Sequence, residues 1–297
     1  MPTRVPDLIL KDTALLGIAR GSVDIAKLNA QISSGKRIQS PADDAIGYAR
    51  AKDLRTVLTA TDQYGANIDR ADGRLSVSET SLASMEDVLA RAKEIALEQA
   101  NPTYDAGQRA VLADGVQQLI DEMVALGNTQ LEGRYVFAGF RSDAPPYDAA
   151  GTYSGDSGVR NVEIGDGVKV AENITGDQFL GGAGGGVDVF QVLTNLRDAL
   201  TANDVAAVSA TIDPMDTAAQ QVTQARMTVG FRMSKLETHR NVLDEVKFQT
   251  QSLLSNTEDV DLTQAVSDLV QRRNTLDVAR ATLAQILGTG SIMQYLA

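Results

Sequence analysis

Residues Leu262–Ile286 read LTQAVSDLVQRRNTLDVARATLAQI. Leu262, Leu269, Leu276 and Leu283 recur at seven-residue intervals, and Ala265, Arg272, Ala279 and Ile286 hold the second track of the same seam. Apolar residues at alternating steps of three and four put one stripe along a helix, as in a coiled-coil strand. A matching strip lies near the other terminus, where Ala14, Ile18, Gly21, Ile25, Leu28 and Ile32 step by four and three. Small residues in both stripes allow close helix approach. A zipper strip at each end predicts segments lying outside a globular core and completed by another surface.

Composition narrows the alternatives. The 297 residues carry a net charge of −12, one histidine and no cysteine or tryptophan, and only 4% are aromatic. An acidic chain without clustered Lys and Arg is poorly suited to nucleic acid. Without cysteine there is no disulfide framework, thiolate zinc site or cysteine nucleophile, and one histidine removes most metal and triad constellations. No catalytic, cofactor or metal site is therefore expected. Scarce aromatics suit thin bundles closed by Ala, Leu and Val. The start, Met1–Leu10, lacks the basic-then-apolar pattern of a secretory signal. No stretch approaches the roughly 20 apolar residues that span a bilayer. By these signals alone the chain reads as soluble and cytoplasmic.

The polar break Ser33–Gln39 follows the first helix, and Ser40-Pro41-Ala42-Asp43-Asp44 reads as a helix start. Ser40 suits the cap, Pro41 the first helical position, and Asp43 the third, from which a carboxylate bonds back to the cap. Beyond it Leu54, Thr61, Ile68, Leu75, Leu82, Leu89 and Ala96 are spaced by seven, with Val57, Tyr64, Ala71, Ser78, Met85 and Ala92 on the second track. At 1.5 Å rise this is a rod of roughly 75 Å. Asn101-Pro102 ends it, and a second helix with Leu112, Val116, Leu119, Met123 and Leu126 on one face folds back.

The period changes near Gly133. Val162 and Ile164, then Val168 and Val170, alternate on either side of Gly165-Asp166-Gly167, a hairpin signature. The run Gly181–Gly186 reads as a flexible exit. Helical periodicity returns at Val187, and Val222, Val229, Leu236 and Leu243 mark one long segment from about Asp204 to Ser255, broken at Asn256–Asp259. The expected fold is mainly α: a long antiparallel coiled-coil or helical-bundle rod formed by both halves of the chain, with a small β-rich inserted domain. Residues 1–40 and 257–297 are the terminal assembly segments, 41–138 and 187–256 the helical rod, and 139–186 the β-rich insertion.

The segment Leu28–Gly47, LNAQISSGKRIQSPADDAIG, resembles the N-terminal signature shared by bacterial flagellins and the hook–filament junction proteins of the FlgL family. Gly133–Phe140 (GRYVFAGF) followed by Ala144-Pro145-Pro146-Tyr147, and the close Ser291–Leu296 (SIMQYL), resemble the junction family more than flagellin. The first ten residues, with Pro2, Pro6 and Leu8-Ile9-Leu10, depart from its pattern. The resemblance implies a structural protein secreted unfolded by the flagellar type III apparatus to the extracellular flagellum. Its implied partners are further copies in a ring, FlgK on the hook side, flagellin on the filament side and an FlgN-type export chaperone before secretion. It also implies that the terminal helices order on assembly. Flagellin itself, the bulk filament subunit, is the alternative of the same fold.

Several residues have plainer readings. Ser34, Gly35, Lys36, Arg37, Ser40, Pro41, Asp43 and Asp44 form either a subunit-contact loop or a capped linker; capping leaves Lys36-Arg37 without a reason. His239 reads as a partly buried seam histidine. Gly181–Gly186 lacks the Lys-Ser/Thr of a phosphate loop, and Asn173-Ile174-Thr175 is a bare sequon match. Arg272 either snorkels or forms a register-fixing salt bridge to another subunit. Asp53, Asp62, Asp69, Asp72, Glu79 and Glu86 read as a solvated face.

Overall fold

The computed structural model describes residues 4–182 and 186–295, and the side-chain surroundings of 11–182 and 186–285. In chain order come α1 (Arg4–Ser34), α2 (Ala45–Gln99), α3 (Ala106–Gly127), β1 (Gln130–Leu131), β2 (Arg134–Tyr135), β3 (Asn161–Gly165), β4 (Val168–Ala171), α4 (Gly176–Phe179), α5 (Val189–Thr201), α6 (Val205–Ala210), α7 (Ile212–Glu258) and α8 (Leu262–Tyr295). The chain is mainly helical, with long helices packed antiparallel and small two-stranded sheets. It divides into two compact units, Met1–Thr59 with Lys247–Ala297, and Ala60–Val246; the boundaries fall inside α2 and α7.

The larger unit is built on the heptads. Thr61, Ile68, Leu75, Leu82, Leu89 and Ala96 are buried, as are Ala71, Ser78, Met85 and Ala92 of the second track. Their partners include Val116, Leu119 and Met123 of α3 and Val222, Val229 and Leu236 of α7, all but Leu243 on that stripe being fully buried. Ion pairs border this seam. Arg226 reaches Glu79 and Glu86, each at 2.7 Å, Arg91 meets Glu122 at 3.1 Å, and Arg240 pairs with Asp69. The expected solvated row of carboxylates is thus partly an inter-helix register device, because Asp69, Glu79 and Glu86 face two arginines of α7.

Arg109, itself buried, donates to the carbonyls of Gln99 (3.3 Å) and Asn101 (2.8 Å), satisfying groups left open where α2 ends. Asp105 and Gln108 close a capping box at the start of α3. One expected long helix is instead two: α6 stops at Ala210 and α7 starts at Ile212, with Asp204 capping α6 through the Ala206 and Ala207 N–H groups. At its other end α7 runs through Glu258, so the break begins at Asp259 and not at Asn256.

The β-rich part is sparse. β3 and β4 pair antiparallel, with Val162 opposite Val170, around the expected turn. A second hairpin, β1–β2, has no signature in the sequence pattern; Glu132 and Gly133 turn it with φ of 53° and 74°. In the buried cluster Phe137 stacks edge-on to Phe179 at 5.3 Å, and Tyr147 lies 5.2 Å from both Tyr153 and Phe190. Asn173 is buried, accepting from the Arg160 N–H and donating to the Gly158 carbonyl, so the sequon serves as a structural amide. Gly181, Gly182 and Gly186 are described; residues 183–185 lie outside the described residues. His239 is half-buried on α7.

Candidate assembly site

In the smaller unit, α1 and α8 pack against each other. The Val260 N–H donates to the Gly35 carbonyl at 3.0 Å, where α1 ends and α8 is about to begin. Farther along, Arg272 meets Asp24 at 3.3 Å, and the Leu276 Cδ1 fills the space that a side chain on Gly21 would take. The helices therefore run antiparallel. On α1 the predicted stripe is the inner face: Ile18, Ile25, Leu28 and Ile32 are half-buried, as are Ala14 and Gly21. On α8, Ala265, Leu276 and Leu283 are buried and Leu269 and Ala279 half-buried, whereas Leu262 is 52% exposed. The Ile286 side chain lies outside the described residues, as do the side chains of the first ten.

The α8 seam was expected to await an outside surface, but α1 of the same chain already covers much of it, because the two apolar stripes face each other once the ends are brought together. Arg272, open between a snorkelling side chain and a salt bridge to another subunit, pairs in the single chain with Asp24 of α1. A groove of about 420 Å³ between the helices is lined by Lys27, Gln31, Asp268 and Arg272 among others, mixed in charge and without a convergent reactive pair.

The loop joining α1 to α2 is a clasp. Lys36 bridges antiparallel to Asp259. The Glu258 carbonyl accepts the N–H of Arg37 at 2.6 Å and of Ile38 at 3.3 Å, while the Arg37 guanidinium donates to the Thr257 carbonyl at 2.9 Å. The Glu258 side chain, 4% exposed, sits between Lys36 (2.8 Å) and Arg55. Glu258 is also the last residue of α7, where the helix dipole disfavours an anion. Two cations from other segments offset that cost, and Ile38 is driven fully inside beside them.

The cap was predicted in the wrong place. Asp43 does answer Ser40, accepting from its N–H and hydroxyl at 3.0 Å each and from the Gln39 N–H at 3.2 Å. These bonds close a separate turn, however, and α2 starts only at Ala45. Asp44 is its cap, accepting from the Gly47 N–H at 2.9 Å. Pro41 falls in the turn and not in the helix. Lys27 of α1 pairs with Asp43 at 2.8 Å, Arg37 lies 3.6 Å from Asp44, and Ser34 accepts from the Gln39 amide at 2.7 Å. Lys36-Arg37 therefore acquires a reason within the chain.

Sequence reading missed Glu258, Arg55 and Ile38. The available signal was an acid at a helix C-terminus opposite the basic pair in the loop. Among the described residues, no group of three or more His, Cys, Asp or Glu could hold a metal, and no helix is long and apolar enough to cross a membrane.

Comparison with known proteins matches residues 7–142 to the bacterial flagellin N-terminal helical region and residues 212–296 to the bacterial flagellin C-terminal helical region. The chain is 26% identical to flagellar hook-associated protein 3 of Salmonella typhimurium, across 96% of this chain and 97% of that protein. It is 24% identical to a flagellin of Halalkalibacterium halodurans, across 87% of this chain and 86% of that protein. The solved structure of a flagellar hook-associated protein from Vibrio parahaemolyticus superposes with a TM-score of 0.67 at 25% identity, covering 73% of this chain and all of that one.

Proposed function

Since this chain belongs to the bacterial flagellin family, whose two helical regions together account for most of its length, we propose that it is the junction subunit that joins FlgK on the hook side to flagellin on the filament side. Its relatives are structural flagellar proteins and not enzymes, and a structural role in the flagellum follows directly. The finer assignment rests chiefly on one observation, the nearly end-to-end match to hook-associated protein 3.

In this reading copies of the chain form a ring, and the terminal segments 1–40 and 257–297 complete their packing there. Fully burying a Leu contributes roughly 1.5–3 kcal/mol, against about 1–2 kcal/mol per residue for ordering the backbone. A seam with Leu262 exposed and Leu269 half-buried leaves apolar area for a neighbour to cover. The mechanism is mechanical: helices of marginal stability in a single chain become stable in the assembly. Delivery is by the flagellar type III apparatus to the extracellular flagellum, with an FlgN-type chaperone holding the C-terminal helix beforehand. A cysteine-free chain suits passage in the unfolded state.

Gene deletion separates this reading from flagellin. A strain lacking the junction subunit is expected to keep its hooks and release unpolymerised flagellin into the medium. Bare hooks without released flagellin would identify the chain as the filament subunit and overturn the assignment.

A further inference from the structure

The chain answers its sheltered carboxylates with its own donors. Glu258 meets Lys36 and Arg55, Glu79 and Glu86 meet Arg226, and Asp156 accepts three backbone N–H groups. Asp177, in the one-turn helix α4, breaks this habit. Its Oδ1 is shielded from solvent and has no hydrogen-bond partner, the only buried carboxylate oxygen so left among the described residues. Two hydroxyls at the same turn share that state. Thr175 is buried and makes no cap bond at the start of α4, and the Tyr147 hydroxyl is buried without a partner. Tyr147 is 2% exposed, and an added Cβ on Gly176 would fall 2.1 Å from its oxygen. Loss of solvent first, then Tyr153, Asp177 and Asp188, keep the proton on that hydroxyl. A carboxylate oxygen taken out of water without a donor is costly. Asp177 is therefore suited to a donor that comes from outside the chain.

Asp177 lines a cavity of about 460 Å³, the size of pockets that hold small organic groups. Asp188 is brought to it through Gly181, which packs against the Asp177 Cα and bridges to Asp188. The Tyr153 and Phe190 rings, each 5.2 Å from Tyr147, line the cavity too. Among the described residues the lining holds one cation, Arg197, and its donors are engaged. It reaches the Gln117 amide at 2.7 Å and Asp198 through Nε and Nη2, at 2.9 and 2.7 Å. Two carboxylates beside two aromatic rings form a surface for an organic cation. An ammonium is a compact, strongly hydrated charge. A guanidinium is flat and weakly hydrated, forks onto a carboxylate and stacks on rings, so it suits this lining better.

We propose that this cavity binds a guanidinium group. Asp177 receives its N–H fork, Asp188 adds negative charge, and the Tyr153 and Phe190 rings supply aromatic surface for its plane. The group can belong to a free solute or to an arginine side chain of another polypeptide; the chemistry of recognition is the same. The inference stands apart from the junction reading and assigns a binding site to the region around α4.

The test titrates the purified full chain with ethylguanidinium, with propylammonium and with the blocked peptide acetyl-Gly-Arg-Gly-amide. Binding is followed by the methyl NMR signal of Ile120, which lines the cavity. Ethylguanidinium is expected to shift that signal saturably, with propylammonium and the Asp177→Asn variant each about tenfold weaker or more, as for loss of a charge-assisted hydrogen bond. Binding of the peptide as well would support an arginine side chain as the natural ligand, and binding of ethylguanidinium alone a free solute. Without ligand, Tm of Asp177→Asn should equal or exceed that of the parent, because the variant removes an unanswered charge. A lower Tm would mean that the fold already satisfies Asp177, and would overturn the proposal. So would failure of both guanidinium probes to bind, equal binding by Asp177→Asn, or equal binding of propylammonium.

Discussion

Asp43 and Glu258 show how two carboxylates in one loop region came to differ in legibility. Asp43 answers Ser40 three residues away, and that local pairing could be read; what could not be read was that the turn would close before the helix began. Glu258 is met by Arg55 from 203 positions away, and no local pattern announces such a pair. Asp43 also yields a pH prediction. The Lys27 ammonium first, then the Gln39 and Ser40 N–H groups and the Ser40 hydroxyl, hold its carboxyl well below the usual carboxylate range. The folded state therefore binds this proton less readily than the unfolded chain, whose Asp titrates at about 3.9. Its contribution is fully present above that value and is lost as pH falls toward the folded pKa. Between about pH 5 and pH 3, Tm of the parent chain should fall more steeply than Tm of Asp43→Asn. Parallel curves in thermal scans across that range would show that the Lys27–Asp43 turn carries no stability.

Among the elements, periodicity named the right stripes but not how deeply each is covered. The α2 heptads and the α8 heptads look alike as letters. Leu82 nevertheless ends fully buried in the large core cluster, while Leu262 is half in solvent at the first turn of α8, which packs against α1. Coverage depends on how many other helices reach a stripe, which is a property of the fold and not of the stripe. The α6–α7 break was hidden for a related reason: Val208, Met215, Val222 and Val229 keep a seven-residue spacing straight through it, and all are buried. The change of period near Gly133 did announce the non-helical structure, though with strands too short to be placed individually. Urea denaturation should separate the two stripes. Leu82→Ala is expected to cost about 3–5 kcal/mol, the upper range for a large-to-small change in a core with little room to collapse. Leu262→Ala should stay within about 0.5 kcal/mol, as for surface positions. Similar costs at the two sites would mean that α8 is covered far more fully than its exposure indicates.

The molecule as a whole has its deep packing in one unit. All residues of the large buried cluster lie between Ile68 and Leu236. In the other unit the buried hydrophobic residues described are Ile38, Ala51, Ala265, Leu276 and Leu283, a thin seam for two long helices. Opening free energy follows buried apolar contact, so the terminal unit should open first. The clasp gives a way to test this without touching either core. Glu258→Gln keeps the shape of the side chain but removes the charge between Lys36 and Arg55. Since both cations are about 40% exposed, the expected loss is about 1–2 kcal/mol, below that of a fully buried pair. Followed by hydrogen exchange through a urea titration, residues 11–59 and 247–285 should lose protection before 60–246. Glu258→Gln should move that first transition to lower urea and leave the second in place. A single transition, shifted as one by Glu258→Gln, would mean that the ends are as firmly folded as the heptad core. Assembly would then have nothing left to order, and the terminal helices would have to act as preformed struts.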